Sequence, residues 1–335
     1  MAEREEDQVE LRPGQFYREG VALARRGQFE EAIAAYDREL ALNPKDARAW
    51  RDRGIALGLL GRSEEGLTSF DKVLALNPFD TDALFNRGVA LGIVGRPSEA
   101  LVSFDRALAI RPDARTYTYR GKVLQTLDRN LEALMSYDSA IELDPDQGKA
   151  WFNRGELQNT LKQYTQALVS FDRALEINPE EAGAWSGRGY ALYSLNRHDE
   201  ALASYDRALE LSDGLFRVWT LRGFVLSELE RFEEAVASFD RALAICPQDS
   251  FTWFLRGNAL GGLGQYTEEV AAYDRALAIG LDEAVIWFRR GLALINLGEL
   301  ADAVRSFDRA LAIDPKYPGA REGREAVLRN LEKEI

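Results

Sequence analysis

Few residues in this 335-residue chain have the type and spacing that catalysis or metal binding needs. The chain has one histidine, His198, and one cysteine, Cys246. They lie far apart in the sequence, so a nucleophile–base pair would require a coincidence of folding. A single cysteine rules out a disulfide framework, and with a single histidine it gives too few ligands for a zinc site. We expect His198 to fill an aromatic packing position instead.

A glycine cluster near residue 260 superficially resembles a nucleotide-binding loop. Such a loop follows a strand and continues into Gly-Lys-Ser or Gly-Lys-Thr, and the sequence shows neither feature here. The glycine cluster consists of Gly257, Gly261, Gly262 and Gly264. Carboxylates are abundant in the sequence, but on helix surfaces they are usually solvated. We therefore expect a protein that is not an enzyme, with no catalytic residues, no cofactor and no metal.

The charge and hydropathy of the chain exclude further classes. Lys and Arg total 42 against 55 for Asp and Glu, a net charge of −13, which argues against a general binder of nucleic acid or anionic membranes. With 46% hydrophobic residues the chain is too apolar for disorder. No stretch approaches the ~20 apolar residues that span a bilayer, and no secretory signal opens the sequence. We expect a cytoplasmic protein without membrane insertion.

A glycine, preceded by arginine in all but the first case, recurs every 34 residues, with one interval of 33. A period of this length indicates a solenoid, in which each unit buries its apolar face against its neighbours. The glycines are Gly20, Gly54, Gly88, Gly121, Gly155, Gly189, Gly223, Gly257 and Gly291. Placing this glycine at position 8 gives repeats at 13–46, 47–80, 81–113, 114–147, 148–181, 182–215, 216–249, 250–283 and 284–317. Residues 1–12 remain as an acidic segment that we expect to be frayed.

Other positions of the repeat are equally regular. All six tryptophans occupy position 4, an aromatic residue occupies position 24 in every repeat, and position 32 is proline in seven repeats of nine. This pattern resembles the tetratricopeptide repeat family over residues 13 to about 317. The resemblance implies an all-α, right-handed superhelix of nine two-helix units, whose A helices line a concave groove that usually binds peptides. The helical spacing of positions 4, 11, 24 and 28 agrees, and residues 318–335 read as a C-terminal capping helix.

Within helix A, the position-8 glycine carries a penalty of ~1 kcal/mol relative to alanine. We expect it to face the small residue at position 20 of helix B, as Gly20 would face Ala32. Position 15 carries glycine or asparagine in six repeats, which suits the left-handed conformation that ends a helix.

Position 25 is aspartate in every repeat, and position 7 is arginine in repeats two to nine, where the family usually has leucine. Pairing within a repeat would set Glu19 against Asp37 and leave Arg324 without a partner. Pairing each aspartate with the arginine of the next repeat gives nine complete pairs, from Asp37 with Arg53 to Asp308 with Arg324. We therefore predict ion pairs between repeats, which can fix register; a row of ligand-binding arginines is the alternative.

In this family the ligand contacts come mostly from positions 2, 5, 6, 9, 12 and 13 of helix A. These columns hold the basic residues Arg18, Arg25, Arg48, Arg51, Arg115, Lys122, Lys149, Arg217 and Arg289, and the acidic residues Asp52, Asp82, Glu156 and Glu228. We therefore expect a positive inner face on an acidic protein. The candidate groove contacts are Arg48, Arg51, Asn86, Arg115, Lys122, Lys149, Asn153, Asn159, Tyr190, Tyr193, Phe224, Phe254 and Phe288. Packing is the alternative role, because position-5 aromatics and arginine stems often lie over neighbouring side chains.

The function predicted from these columns is a scaffold or adaptor that binds a protein or peptide segment with acidic and apolar residues. In these columns the cations concentrate in repeats one to five and the aromatic and aliphatic residues in repeats six to nine. We therefore expect acidic groups at one end of the ligand and apolar anchors at the other. A self-associating structural solenoid and an accessory subunit of an enzyme complex remain alternatives.

Three repeats depart from the pattern. The third has 33 residues, the sixth has Asp213 in place of proline, and the eighth has Leu281 there and Glu269 at position 20. We expect Glu269 to push the two helices of its repeat apart or to find a polar partner, and we predict looser packing in repeat eight.

Overall fold

The structure, a computed structural model, describes residues 14–332. In this range the chain forms nineteen α-helices and no strand, which confirms the all-α fold class of two-helix repeats followed by one further helix. The acidic segment 1–12 that we expected to be frayed lies outside the described residues, as do residues 333–335 of the tail. The described chain divides into two compact units, 14–157 and 158–332.

The first unit contains eight complete helices and most of a ninth. They are α1 (Gln15–Arg25), α2 (Phe29–Leu42), α3 (Ala47–Leu59), α4 (Ser63–Leu76), α5 (Thr81–Ile93), α6 (Pro97–Ile110), α7 (Ala114–Thr126), α8 (Asn130–Leu143) and α9 (Gly148–Thr160), whose end belongs to the second unit. Odd-numbered helices are the A helices and even-numbered helices the B helices of successive repeats.

The second unit continues the alternation. It contains α10 (Tyr164–Ile177), α11 (Ala182–Ser194), α12 (His198–Leu211), α13 (Phe216–Glu228), α14 (Phe232–Ile245), α15 (Ser250–Gly262), α16 (Tyr266–Ile279), α17 (Ala284–Asn296), α18 (Leu300–Ile313) and α19 (Ala320–Leu331). Helix α19 packs against α18 and covers the last repeat.

Each A helix is followed by a residue in the left-handed backbone conformation. The six residues expected at position 15 adopt it: Gly27, Gly61, Gly95, Asn196, Gly264 and Gly298. Asp128, Lys162 and Glu230 adopt the same conformation in repeats four, five and seven, with φ of 56°, 59° and 58°. Residues other than glycine are strained there by about 1–2 kcal/mol, so the turn imposes its geometry even where the sequence lacks the residue that suits it.

The position-8 glycine is required mainly by the aromatic ring at position 24, which corrects the expected pairing of Gly20 with Ala32. A Cβ added at Gly20 would lie 2.5 Å from Cε1 of Tyr36. Position 20 lies close to the same crossing, because a Cβ on Gly66 would lie 3.1 Å from the backbone oxygen of Gly54. The ring therefore packs directly on the backbone of helix A, and a small residue beside it lets the two helices approach.

The predicted ion pairs between repeats are confirmed. In the first, Arg53 Nε lies 2.6 Å from Asp37 Oδ1. The eight others are Asp71–Arg87, Asp105–Arg120, Asp138–Arg154, Asp172–Arg188, Asp206–Arg222, Asp240–Arg256, Asp274–Arg290 and Asp308–Arg324. Sequence reasoning missed two further contacts of the arginine: Arg53 Nη1 donates to Ser69 Oγ (2.9 Å), and its guanidinium lies 5.8 Å from the Trp50 ring centroid. These arginines are thus used in packing between repeats.

The end of helix B is formed differently in the eighth repeat. Leu281 stands where most repeats have proline. The preceding residue, Gly280, has φ of 116°, and the Leu281 N–H donates to the Ala276 carbonyl (3.1 Å). Helix B contacts the following helix less extensively after repeats six and eight, the two without proline, than after repeats one, two, three, five, seven and nine. The shortened third repeat shows no such weakening.

Glu269 finds a polar partner, which is one of the two outcomes expected for it. Its side chain is buried, and the Tyr273 hydroxyl lies 3.1 Å from its Oε1. A Cβ on Gly261 would lie only 2.8 Å from that oxygen, so this glycine makes room for the carboxyl group. Burial raises the pKa of Glu269 above its usual value, although the Tyr273 hydrogen bond and the charge of Arg289 oppose the rise. The predicted looser packing of repeat eight stays a prediction.

Candidate functional site

Neighbouring A helices contact one another within each unit. Besides its own B helix, each of α1, α3 and α5 contacts the next A helix directly, and so do α11 and α13. In a stack of helix pairs, the helices that contact the equivalent helices of neighbouring repeats lie on the inner, shorter side. We call the surface formed by positions 2, 5, 6, 9, 12 and 13 of the A helices the groove, and treat it separately in each unit.

Two of the candidate cations already have acidic partners. Arg48 Nη2 lies 3.1 Å from Asp46 Oδ2, and the same carboxylate accepts backbone N–H groups at the start of α3. Burial alone would raise the pKa of Asp46, but the hydrogen bonds from Arg48 and the backbone outweigh it and lower the pKa. Arg51 lies 3.5 Å from Asp52 and 4.0 Å from Asp82. Arg48 and Arg51 therefore contribute less free positive charge than the sequence columns suggest.

The three candidate groove cations of repeats four and five are exposed and form no ion pair with the described residues. Arg115 and Lys122 lie on α7, and Lys149 lies on α9. Among residues 14–332 none of the three has an acidic side chain in ion-pair contact. The Arg115 guanidinium lies over the Phe85 ring, 4.1 Å from its centroid, which leaves its N–H groups free to donate. These three residues thus contribute available positive charge to the first unit's groove.

The three candidate asparagines differ in exposure. Asn86 and Asn153 are half-buried on A helices, where a ligand can reach them. Asn159 is buried, and its Nδ2 donates to the Gly187 carbonyl at 2.9 Å. This bond ties the end of α9 to α11 within the second unit, so Asn159 has a packing role.

The tyrosines and phenylalanine of repeats six and seven pack against one another on the A-helix face. The rings of Tyr193 and Phe224 meet edge to face at 5.6 Å, and Tyr190 meets Tyr164 at 6.1 Å. His198 lies 5.6 Å from Tyr193, which is the aromatic packing role expected for it. Tyr190 remains 38% exposed, so this cluster offers apolar contact area to a ligand.

Phe254 and Phe288 pack against the hydrophobic core, as Tyr193 and Phe224 also do. Phe254 packs 6.1 Å from Tyr273, and Phe288 packs 5.8 Å from Phe307 and 5.2 Å from Tyr317. Both rings are half-buried members of core clusters. For these two position-5 residues the packing alternative describes the structure.

Two clefts open into the groove of the first unit, and sequence reasoning missed both. One lies between repeats one and two (about 290 Å³) and the other between repeats three and four (about 540 Å³). They are lined by the same repeat positions, including 9, 12, 13, 17 and 24 of the first repeat of each pair. The larger cleft has Gly92 at position 12 and Pro97 at position 17, where the smaller has Ala24 and Phe29. Gly92 and Pro97 were the sequence features that could have indicated the larger cleft.

Comparison with family models agrees with the two-helix repeats. Models described as tetratricopeptide repeat match residues 20–84, 57–115, 120–182, 163–215, 216–249, 252–279 and 284–317. The chain belongs to the tetratricopeptide repeat family. Membership indicates a protein-interaction scaffold, and the family is typically non-enzymatic.

Solved structures of this fold resemble the chain at low sequence identity. The APC/C hetero-tetramer Cut9-Hcn1 is 18% identical with a TM-score of 0.54. The match covers 89% of this chain and 59% of the chain in that structure. MamA 41-end from Desulfovibrio magneticus RS-1 is 25% identical (TM-score 0.47; 50% of this chain, 94% of that one). YrrB, described as a TPR protein with an unusual peptide-binding site, is 23% identical with a TM-score of 0.45. The match covers 53% of this chain and 93% of YrrB. The first of these supports the fold alone. No curated protein matches the chain in sequence.

Residues 14–332 contain neither a candidate membrane-spanning helix nor a candidate metal-binding cluster. No helix there combines the length and the apolar character that crossing a bilayer requires. Nor does this part of the chain bring three or more His, Cys, Asp or Glu side chains together in a way that could hold a metal ion. Cys246 is a half-buried free thiol.

Proposed function

We propose that this protein is a non-enzymatic scaffold whose groove binds one or more protein segments that carry acidic and apolar residues. The observation that carries the proposal is the set of three exposed cations on α7 and α9, Arg115, Lys122 and Lys149. Because no acidic side chain among the described residues pairs with them, they can receive carboxylates from a partner. On a chain of net charge −13, such a local positive surface attracts acidic segments, which the acidic remainder of the protein repels.

The groove of the second unit, taken by itself, offers aromatic contacts for the apolar residues of a bound segment. Tyr190 is exposed on α11, and Tyr193 and Phe224 are half-buried on α11 and α13. Aromatic residues are enriched among the anchors of protein interfaces. Asn86 and Asn153 supply donors and acceptors for the backbone of a bound segment.

A charge-removal experiment tests the proposal. A display library of random 12-residue peptides is selected against the wild-type protein, and the affinities of the recovered peptides are measured by fluorescence polarisation. We expect peptides rich in Asp and Glu, bound less tightly as salt rises, and at least about tenfold weaker binding to a variant with Arg115, Lys122 and Lys149 changed to Ala, since each lost charge-assisted hydrogen bond is worth about 1.5–3 kcal/mol.

The matched control removes three positive charges from the B helices of the same unit. Arg38, Lys72 and Arg106 all occupy position 26 and are exposed on α2, α4 and α6. Their triple Ala variant should bind the selected peptides as the wild type does. Equal weakening in both variants, or a selection that yields no peptide, contradicts the proposed function. Light scattering across protein concentrations tests the self-association alternative, which requires growth in mass.

A further inference from the structure

In several repeats an aromatic ring at position 17 occupies the cleft between consecutive A helices. Phe29 lines the small cleft between repeats one and two. Tyr164 packs 6.1 Å from Tyr190, which lies at position 9 of the next repeat. The Phe232 ring lies so close to position 13 of the next repeat that a Cβ on Gly262 would approach it to 2.7 Å. Position 17 is aromatic in five repeats of nine, and repeats two, four and nine have Ser63, Asn130 and Leu300 there.

The third repeat lacks that ring. Its position 17 is Pro97, the first residue of α6, whose short side chain lies at the edge of the cleft. Position 12 is Gly92, where an added Cβ would meet only Cγ2 of Val123, at 3.9 Å. The result is a cleft of about 540 Å³, almost twice the volume of the cleft that contains Phe29.

The walls and rim of this cleft define what it can hold. The walls include Val89, Ile93, Phe104 and Val123, and Ile93 is 65% exposed at the surface. Lys122 lines the same cleft and has no acidic partner among the described residues. An apolar space beside an unpaired ammonium group is complementary to an apolar side chain with a neighbouring carboxylate.

We propose that the cleft between repeats three and four receives an aromatic side chain of the partner segment, which supplies the ring that the third repeat lacks. Lys122 then pairs with an acidic residue adjacent to that aromatic residue. The proposal rests on the proposed function and narrows it, because it names the anchor of the acidic ligand and the place where the anchor inserts.

The test fills the cleft from within. Gly92→Leu places a side chain in it without a backbone clash, and Pro97→Phe restores the position-17 ring from the opposite side. The control is Gly58→Leu, the same substitution at position 12 of the preceding repeat, where an added Cβ meets no atom within 4 Å. Circular dichroism and thermal unfolding verify that all three variants are folded.

The probes are the peptides recovered from the 12-residue display library on the wild-type protein. We expect them to contain Trp, Phe or Tyr beside Asp or Glu. Burying an aromatic side chain contributes about 1.5–3 kcal/mol, so Gly92→Leu and Pro97→Phe should each weaken binding by about 10- to 100-fold. Gly58→Leu should leave the affinity unchanged.

The outcomes separate this inference from the proposed function. If the peptides lose affinity for the Arg115, Lys122 and Lys149 triple variant but bind Gly92→Leu and Pro97→Phe as they bind the wild type, the inferred cleft site is wrong. The proposed scaffold function then still stands. Equal losses in Gly92→Leu and Gly58→Leu also overturn it, because the effect is then not local to this cleft. A wild-type protein that selects no peptide overturns both.

Discussion

Replacing Gly54 with alanine tests whether the ring at position 24 is what requires glycine in helix A. A Cβ at Gly54 would lie 2.7 Å from Cε1 and 2.8 Å from Cζ of Phe70. Phe70 is 3% exposed and belongs to the core, so its ring must move to admit the methyl group. Gly58, one turn later on the same helix, has no atom within 4 Å of an added Cβ and is the matched control.

The two substitutions should change the free energy of unfolding in different directions. In a helix interior, alanine is more favourable than glycine by about 1 kcal/mol, so Gly58→Ala should stabilise by about that amount. Gly54→Ala has the same helical gain, but overpacking a core costs about 1–3 kcal/mol. We therefore expect it to be neutral or to destabilise by up to about 2 kcal/mol, a difference between the variants of about 1–3 kcal/mol.

Urea unfolding followed by circular dichroism measures this difference. Because repeat proteins do not always unfold in one step, hydrogen exchange of α3 and α4 should accompany the midpoints. Phe70→Leu in the Gly54→Ala background should reduce the penalty, since the smaller side chain relieves the contact. Stabilisation of similar size by Gly54→Ala and Gly58→Ala would refute the account of the ring.

Three further predictions concern charge and backbone. Glu269→Gln should raise the melting temperature more at pH 8 than at pH 5.5. Because the pKa of Glu269 is raised, the wild type is most stable with this carboxyl protonated and loses stability as the pH rises through the folded-state pKa. Equal gains at both pH values would contradict this. Glu230→Gly should stabilise by about 1 kcal/mol in urea unfolding, since φ of 58° strains glutamate and suits glycine; no gain would show an unstrained turn. A double-mutant cycle on Asp206 and Arg222 should give a coupling of at most about 1 kcal/mol, because the aspartate side chain is 50% exposed; a coupling well above that would mean that solvent screens the pair poorly.

Repetition explains why so much of the fold was predictable. The period and the helical spacing of apolar residues fixed the helix pairs, and one residue in the tail, Arg324, decided the direction of ion pairing because only inter-repeat pairing gave it a partner. The partner of the position-8 glycine was harder to predict. Positions 20 and 24 are one helical turn apart and lie on the same side of helix B, so the sequence alone did not distinguish the residue beside the glycine from the ring on top of it.

The groove was only partly predictable, because its properties depend on neighbours outside the ligand-contact columns. Asp46, which pairs with Arg48, comes from the loop before α3 and caps that helix. The large cleft depends on the absence of side chains at Gly92 and Pro97, and a column-by-column reading of chemical type does not register empty space. Asn159 shows the opposite case. It is a polar groove position, but it is buried and its Nδ2 donates to the Gly187 carbonyl of the next repeat.

Photo-cross-linking tests most directly whether the A-helix face is the binding surface. The aromatic residue of a selected acidic peptide is replaced with benzoylphenylalanine, the complex is irradiated, and the cross-linked residues are mapped by mass spectrometry. Binding in the groove predicts cross-links on α5 and α7, concentrated around the cleft that contains Gly92. Cross-links confined to the B helices α4, α6 and α8 would contradict it.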